Sequence, residues 1–148
     1  GSQANADSIV PAISGSGYFV AFKSEADNLV ADDRNHAVDV FVRVRGADVT
    51  ELVSARDPAA GLSTEGATAN DASFPPSLSG DGRFVAFGSF ATNLLVGDVN
   101  QFASVYVRDR QTGKVRLVDV NDRGVQADGG TPDSPPSVSG DGRWIGFD

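Results

Sequence analysis

The chain has 148 residues, 40% of them hydrophobic, and a net charge of −8. That length suits one domain with a real core, and the acidic balance argues against nucleic acid and against anionic membrane surfaces, both of which attract basic proteins. No apolar run reaches the roughly 20 residues of a membrane-spanning helix, so membrane insertion is not expected. The lack of cysteine removes disulfides, thiolate metal sites and cysteine nucleophiles.

Gly1-Ser2 reads as a remnant of tag cleavage, and the absence of methionine reads as a processed or excised piece. Residues 3–148 are expected to form one repeat domain. Gln3-Ala4-Asn5 is a run-up that returns as Gln126-Ala127-Asp128 ahead of a later repeat. The repeat itself first reads Pro11-Ala12-Ile13-Ser14-Gly15-Ser16-Gly17-Tyr18-Phe19-Val20-Ala21-Phe22. It recurs 65 residues on (11 to 76) as Pro76-Ser77-Leu78-Ser79-Gly80-Asp81-Gly82-Arg83-Phe84-Val85-Ala86-Phe87. It recurs 60 residues later (76 to 136) as Pro136-Ser137-Val138-Ser139-Gly140-Asp141-Gly142-Arg143-Trp144-Ile145-Gly146-Phe147. Self-similarity at such a period marks a repeat architecture.

Each repeat opens with a short apolar strand and a tight turn. Asp81-Gly82 and Asp141-Gly142 predict a type I′ hairpin, with positive φ at both central residues. The second strand carries apolar residues on both faces, Phe84 and Ala86 against Val85 and Phe87, so burial on both sides and face-to-face stacking are expected. A third strand is predicted at 39–43 and 104–108, and a fourth at 50–53 and 115–118. A long loop rich in Gly, Ala, Asp, Ser and Pro follows each fourth strand, of the kind more often functional than neutral. No segment keeps a helical period. The first unit is placed at about 9–55, the second at about 74–121, and half of a third at about 134–148.

The loop between second and third strands is the candidate metal site. Aligned at the 65-residue offset, Asp33 matches Asp98, Asn35 matches Asn100, and Asp39 matches Ser104. Oxygen ligands at alternate positions, closed by a later carboxylate, suit Ca²⁺. The competing reading is that Asp and Asn make Asx-turns that cap strand ends. His36 is the one histidine and no nucleophile elbow accompanies it, so hydrolase chemistry is not expected and no catalytic residue is named. Arg83, Arg143, Arg43 and Arg108 recur at equivalent sites, which predicts structural partners within each unit. Phe19, Phe22, Phe84, Phe87, Trp144 and Phe147 are expected to pack unit on unit. Phe90 and Phe102 lie in loops and are candidates for ligand binding.

Four short antiparallel strands per repeat, in radial repetition, is the plan of a β-propeller blade. The wording Pro-small-aliphatic-Ser-Gly-Asp-Gly-Arg-aromatic-Val-Ala-Phe resembles the TolB-like, WD40-like propeller repeat of exported bacterial proteins. The resemblance covers nearly the whole chain, and the first copy departs from it at Ser16 and Tyr18. It implies an all-β chain of about two and a half propeller blades, extracytoplasmic, serving as a non-enzymatic scaffold for a protein or glycan ligand. Two further readings stand beside it. One is an accessory propeller of a larger enzyme such as a peptidase, completed by missing blades of a parent chain. The other is a structural module that self-associates, since propellers close with about 4 to 8 blades.

Overall fold

The computed structural model describes residues 3–31, 33–61, 67–98, 102–127 and 134–148. Strands β1 (Ser8–Ile13), β2 (Phe19–Ser24), β3 (Asp39–Val44) and β4 (Val49–Leu52) form an antiparallel sheet in chain order. Strands β5 (Ser77–Leu78), β6 (Phe84–Ser89), β7 (Ser104–Asp109) and β8 (Val115–Leu117) form a second, and β9 (Ser137–Val138) pairs with β10 (Ile145–Gly146). The expected all-β class and four-stranded units are present. The central pairings share one register, with Phe22 opposite Phe41 and Phe87 opposite Tyr106. In both places the rings stack, with centroids 5.8 and 5.9 Å apart.

The first strand of each unit is broken for a local reason. In β1 the register shifts between Ile9 and Ala12, where Val10 takes a φ of 53° and Pro11 has no N–H to give the ladder. In the second unit Phe74-Pro75-Pro76 occupies the same place. Pairing there divides into an isolated Ser73–Ser89 bridge and the two-residue β5.

The hairpin turns differ from the predicted type I′. Positive φ occurs at Gly82 and Gly142 but not at Asp81 or Asp141. The Gly82 N–H donates to Ser79 O at 2.9 Å, a type I turn followed by a left-handed glycine. The aspartate keeps an ordinary φ because its carboxylate has other work: it accepts from the Ser79 hydroxyl and from the Arg83 N–H. Asp141 does the same with Ser139 and Arg143.

The units stack face to face around a common centre. Val40, Val42 and Val53 of the first meet Val85, Phe87, Tyr106 and Val115 of the second in one core. Both faces of β6 are used, because Phe84 points the other way and lies under Gly142. Phe19 lies under Gly82 in the same manner, and a Cβ at either glycine would overlap the ring beneath it. Nearer the centre, the Gly80 N–H donates to Gly140 O at 2.9 Å and Val138 N–H to the Ser77 hydroxyl at 3.1 Å. The first strands β1, β5 and β9 are therefore neighbours, which makes the stacking radial.

Polar contacts fasten the same seam. Arg110 grips both carboxylate oxygens of Glu51 at 2.9 and 3.0 Å, lies 4.4 Å over the Phe19 ring, and donates to Gly82 O. Among the repeated arginines, Arg83 holds Asp109 bidentately at 3.0 and 2.7 Å and Arg43 holds Asp48, both within their own units as expected. Arg108 departs from that expectation. It is the longest chain on the seam-facing side of β7, and it crosses to Ala55 O of the first unit at 2.8 Å.

Candidate functional site

The loop that joins β2 to β3 in the first unit is held by Asn35. Its Oδ1 accepts from the Ala37 N–H at 3.0 Å, an Asx-turn, while its Nδ2 donates to Asp39 Oδ2 at 2.7 Å and to Ala69 O at 2.8 Å. Asp39 is fully buried. Its other oxygen accepts from the Ser54 hydroxyl, and the Ser54 oxygen accepts from the Val40 N–H at 2.9 Å. The carboxylate thus stitches the start of β3 to the end of β4. Among the described residues no group of three or more acidic or histidine side chains is placed to hold a metal ion. Of the predicted set, Asn35 and Asp39 are engaged in hydrogen bonds within the chain.

Burial sets the electrostatics. Desolvation pushes the Asp39 carboxyl up to about 6, against the hydrogen bonds from Ser54 and Asn35. Asp33 is also raised, by burial and then by the Asp27 charge. Because the folded value lies above the unfolded one of about 3.9, folded Asp39 binds a proton that the unfolded chain does not between about pH 4 and 6. Its contribution to stability therefore falls as pH rises through that window, by roughly 2–3 kcal/mol, and is flat above it. Carbon-detected NMR of the Asp39 carboxyl should titrate with a midpoint near 6; a midpoint near 4 would contradict the burial argument.

The second unit solves the same problem with the residues exchanged. Ser104 stands where Asp39 does, and Asp119 stands where Ser54 does. Asp119 accepts from the Val105 N–H and the Ser104 hydroxyl, and burial raises its pKa. Asp98, the match to Asp33, accepts from the Tyr106 hydroxyl and, at 3.4 Å, from Gln126 Nε2, which also donates to Ser104 at 2.8 Å. Phe41 replaces Tyr106 in the first unit and has no hydroxyl. Asp33 Oδ1 is correspondingly buried without a hydrogen-bond partner. Asn100, the remaining member of the predicted set, lies outside the described residues.

Two further fasteners were not singled out from the sequence. Asn28 accepts from the Asn5 N–H at 3.0 Å and donates to Gln3 O at 2.9 Å. Asn93 repeats both bonds, with Asn70 N–H at 2.9 Å and Thr68 O at 3.1 Å. The shared 65-residue offset of Asn28 and Asn93 was the clue available in the sequence. Of the candidate ligand-binding rings, Phe90 is half-buried and meets Phe74 edge to face at 5.1 Å. Phe102 is 49% exposed and Val96 76%, both in the β6–β7 loop. His36 sits at the surface with Nδ1 3.3 Å from Asp27.

No family model matches this chain, and no curated protein does. Solved structures do. The β-propeller domain of the Trilobed protease from Pyrococcus furiosus, described as having an open velcro topology, is similar with a TM-score of 0.55 at 16% identity, over 96% of this chain and 34% of that one. Acylaminoacyl peptidase from Pyrococcus horikoshii is similar with a TM-score of 0.52 at 17% identity, over 95% and 16%. This chain has the β-propeller fold. TolB from Acinetobacter baumannii is a further neighbour, with a TM-score of 0.48 at 12% identity, over 97% and 26%. The chain spans about a third or less of each of these proteins, and at such identities the likeness is one of fold. The four-stranded units are propeller blades, and the Asp/Ser stitch lies where the third and fourth strands of a blade come together at the β2–β3 loop end. Among the described residues no helix is long and apolar enough to cross a membrane.

Proposed function

We propose that the chain is a non-enzymatic binding scaffold of an exported bacterial protein, presenting the loops between second and third strands to a protein or glycan. The observation that carries this reading is the use to which the polar residues are put. Asp39, Ser54, Ser104, Asp57 and Arg108 are buried or half-buried, and each spends its hydrogen bonds on a strand end or a neighbouring blade. The lone imidazole is paired with Asp27 at the surface. Val96 and Phe102 are apolar side chains exposed on the β6–β7 loop, and exposed apolar groups on such a loop suit recognition. Calcium at the Asp33–Asp39 loop is not needed for this reading.

A peptide and glycan array probed with the purified chain tests it. Retention of a ligand that is lost on Phe102→Ser and Val96→Ser is the expected result. Retention untouched by both substitutions, or turnover of peptide or ester substrates by the purified chain, would contradict it. A second reading, the accessory propeller of a larger peptidase, draws support from the likenesses to the Trilobed protease propeller and to acylaminoacyl peptidase, proteolytic enzymes of which this chain spans a minor part.

A further inference from the structure

We propose that the notch between the two four-stranded blades, at the end opposite the β2–β3 and β6–β7 loops, is a binding site for one neutral sugar residue. Two hairpin turns of the second blade and one ring of the first form it. The β5–β6 turn brings Asp81, Gly82 and Arg83, the β7–β8 turn brings Arg110 and Gln111, and Phe19 supplies the wall on the first blade. The cavity measures about 250 Å³. That is below the range of drug-sized pockets, about 300 Å³ and upward, and suits a single sugar ring.

The polar groups of the notch are held in place by their neighbours and keep spare hydrogen-bonding capacity. Asp81 Oδ1 accepts from both the Ser79 hydroxyl and the Arg83 N–H, which leaves Oδ2 as an acceptor. Arg83 donates to Asp109 through Nε and Nη2 at 3.0 and 2.7 Å, and its Nη1 makes no hydrogen bond among the described residues. The Gln111 backbone is anchored by its N–H on Asp109 Oδ1 at 3.0 Å. Its side-chain amide is exposed and makes no hydrogen bond among the described residues. Groups fixed beforehand lose little freedom when a ligand arrives.

Charge and hydrogen-bonding capacity select the ligand. The Arg83 charge is balanced by Asp109 and the Arg110 charge by Glu51, which leaves the exposed Asp81 carboxylate. An anion would meet that carboxylate, and a cation would meet two guanidinium groups. A neutral polyol meets neither penalty. Each hydroxyl can donate to Asp81 or to the Gln111 side-chain carbonyl, and can accept from Arg83 or from the Gln111 amide. Adjacent hydroxyls on a sugar ring present that mixture in a fixed geometry.

The matching place on the first blade shows how specific the set is. Ser16, Gly17, Tyr18, Arg45 and Gly46, all 65 residues earlier, line a cavity of about 360 Å³. Arg45 Nη1 donates to Gly17 O at 3.1 Å there, as Arg110 Nη1 donates to Gly82 O. Ser16, Tyr18 and Gly46 replace the carboxylate, the second guanidinium and the amide. The repeat keeps the notch, and of these two places the second blade's carries the polar set.

The test is amide-detected NMR of the whole chain titrated with the methyl glycosides of glucose, galactose, mannose and N-acetylglucosamine. At least one of the four should move the Gln111 side-chain amide and the Gly82 N–H saturably, while Gly17 stays in place. The dissociation constant should be millimolar, as a few hydrogen bonds at an open site allow. Glucuronate and glucosamine should bind more weakly than the neutral sugar. Gln111→Ala, a change at an exposed position, should weaken binding about fivefold, the worth of one hydrogen bond. No saturable movement with any of the four, equal movement at Gly17, tighter binding of a charged sugar, or an affinity unchanged by Gln111→Ala would overturn the proposal. None of these results touches the scaffold reading, whose own test rests on Phe102 and Val96 at the other end of the blades.

Discussion

Gly82→Ala is expected to destabilise the chain by about 3 kcal/mol, lowering the melting temperature by roughly 10 °C. Two costs combine. Gly82 has a φ of 72°, where a side chain costs about 1–2 kcal/mol, and the added Cβ would overlap the Phe19 ring of the preceding blade. The ring cannot retreat freely, because Arg110 lies over it and is itself tied to Glu51. Gly17 provides the control within the same molecule. It has nearly the same φ, 71°, but the nearest atom to its Cβ would be Arg45 Nη1 at 4.0 Å. Gly17→Ala should therefore show the backbone cost alone, about 1 kcal/mol. Thermal or urea melts of the two variants decide the matter, and equal losses would mean that the glycine does not carry the seam.

The exchange of aspartate and serine between blades leads to a rescue experiment. Asp39→Ser alone should cost about 2 kcal/mol, because the donors of Asn35 and Ser54 lose a charged acceptor. Ser54→Asp alone should cost about 3 kcal/mol or more, since it brings a second carboxylate against one that is already fully buried. The double variant Asp39→Ser with Ser54→Asp rebuilds the arrangement of Ser104 and Asp119 and should fall within about 1 kcal/mol of the parent. Additive losses in the double variant would show that the two blades do not share one interchangeable stitch.

Much of the fold was legible because the chain repeats itself. The three copies of the Pro-to-Phe motif placed the blades, and the alternation of Phe84, Val85, Ala86 and Phe87 foretold burial on both faces. What stayed hidden depends on residues far apart in sequence. Asp33, Asn35 and Asp39 read naturally as a ligand set, yet the partner of Asp39 is Ser54, at the far end of the next strand. The clue was present in the aligned pairs 39/104 and 54/119, where the two residue types trade places while the pair is kept. A compensating exchange of that sort signals contact, and it does so here within a single sequence. The seam from Arg110 to Glu51 left no such trace, because the matching residues are Arg45 and Arg116 and the repeat does not preserve the pair. The turn was misread for a local reason. Asp-Gly suits a type I′ hairpin, but the serine two residues before the aspartate captures its carboxylate and holds the aspartate out of the left-handed region.

The central claim is that consecutive blades lock by seating a bare glycine on the aromatic ring of the blade before. Proton NMR reads this directly, since a glycine α-proton held against an aromatic ring is displaced from its ordinary position by the ring current. The α-protons of Gly82 and Gly142 should each be displaced in this way, with Gly17, which has no ring beneath it, at an ordinary position. Three glycines with unremarkable and similar shifts would contradict the blade-on-blade arrangement from which the rest of the account is built.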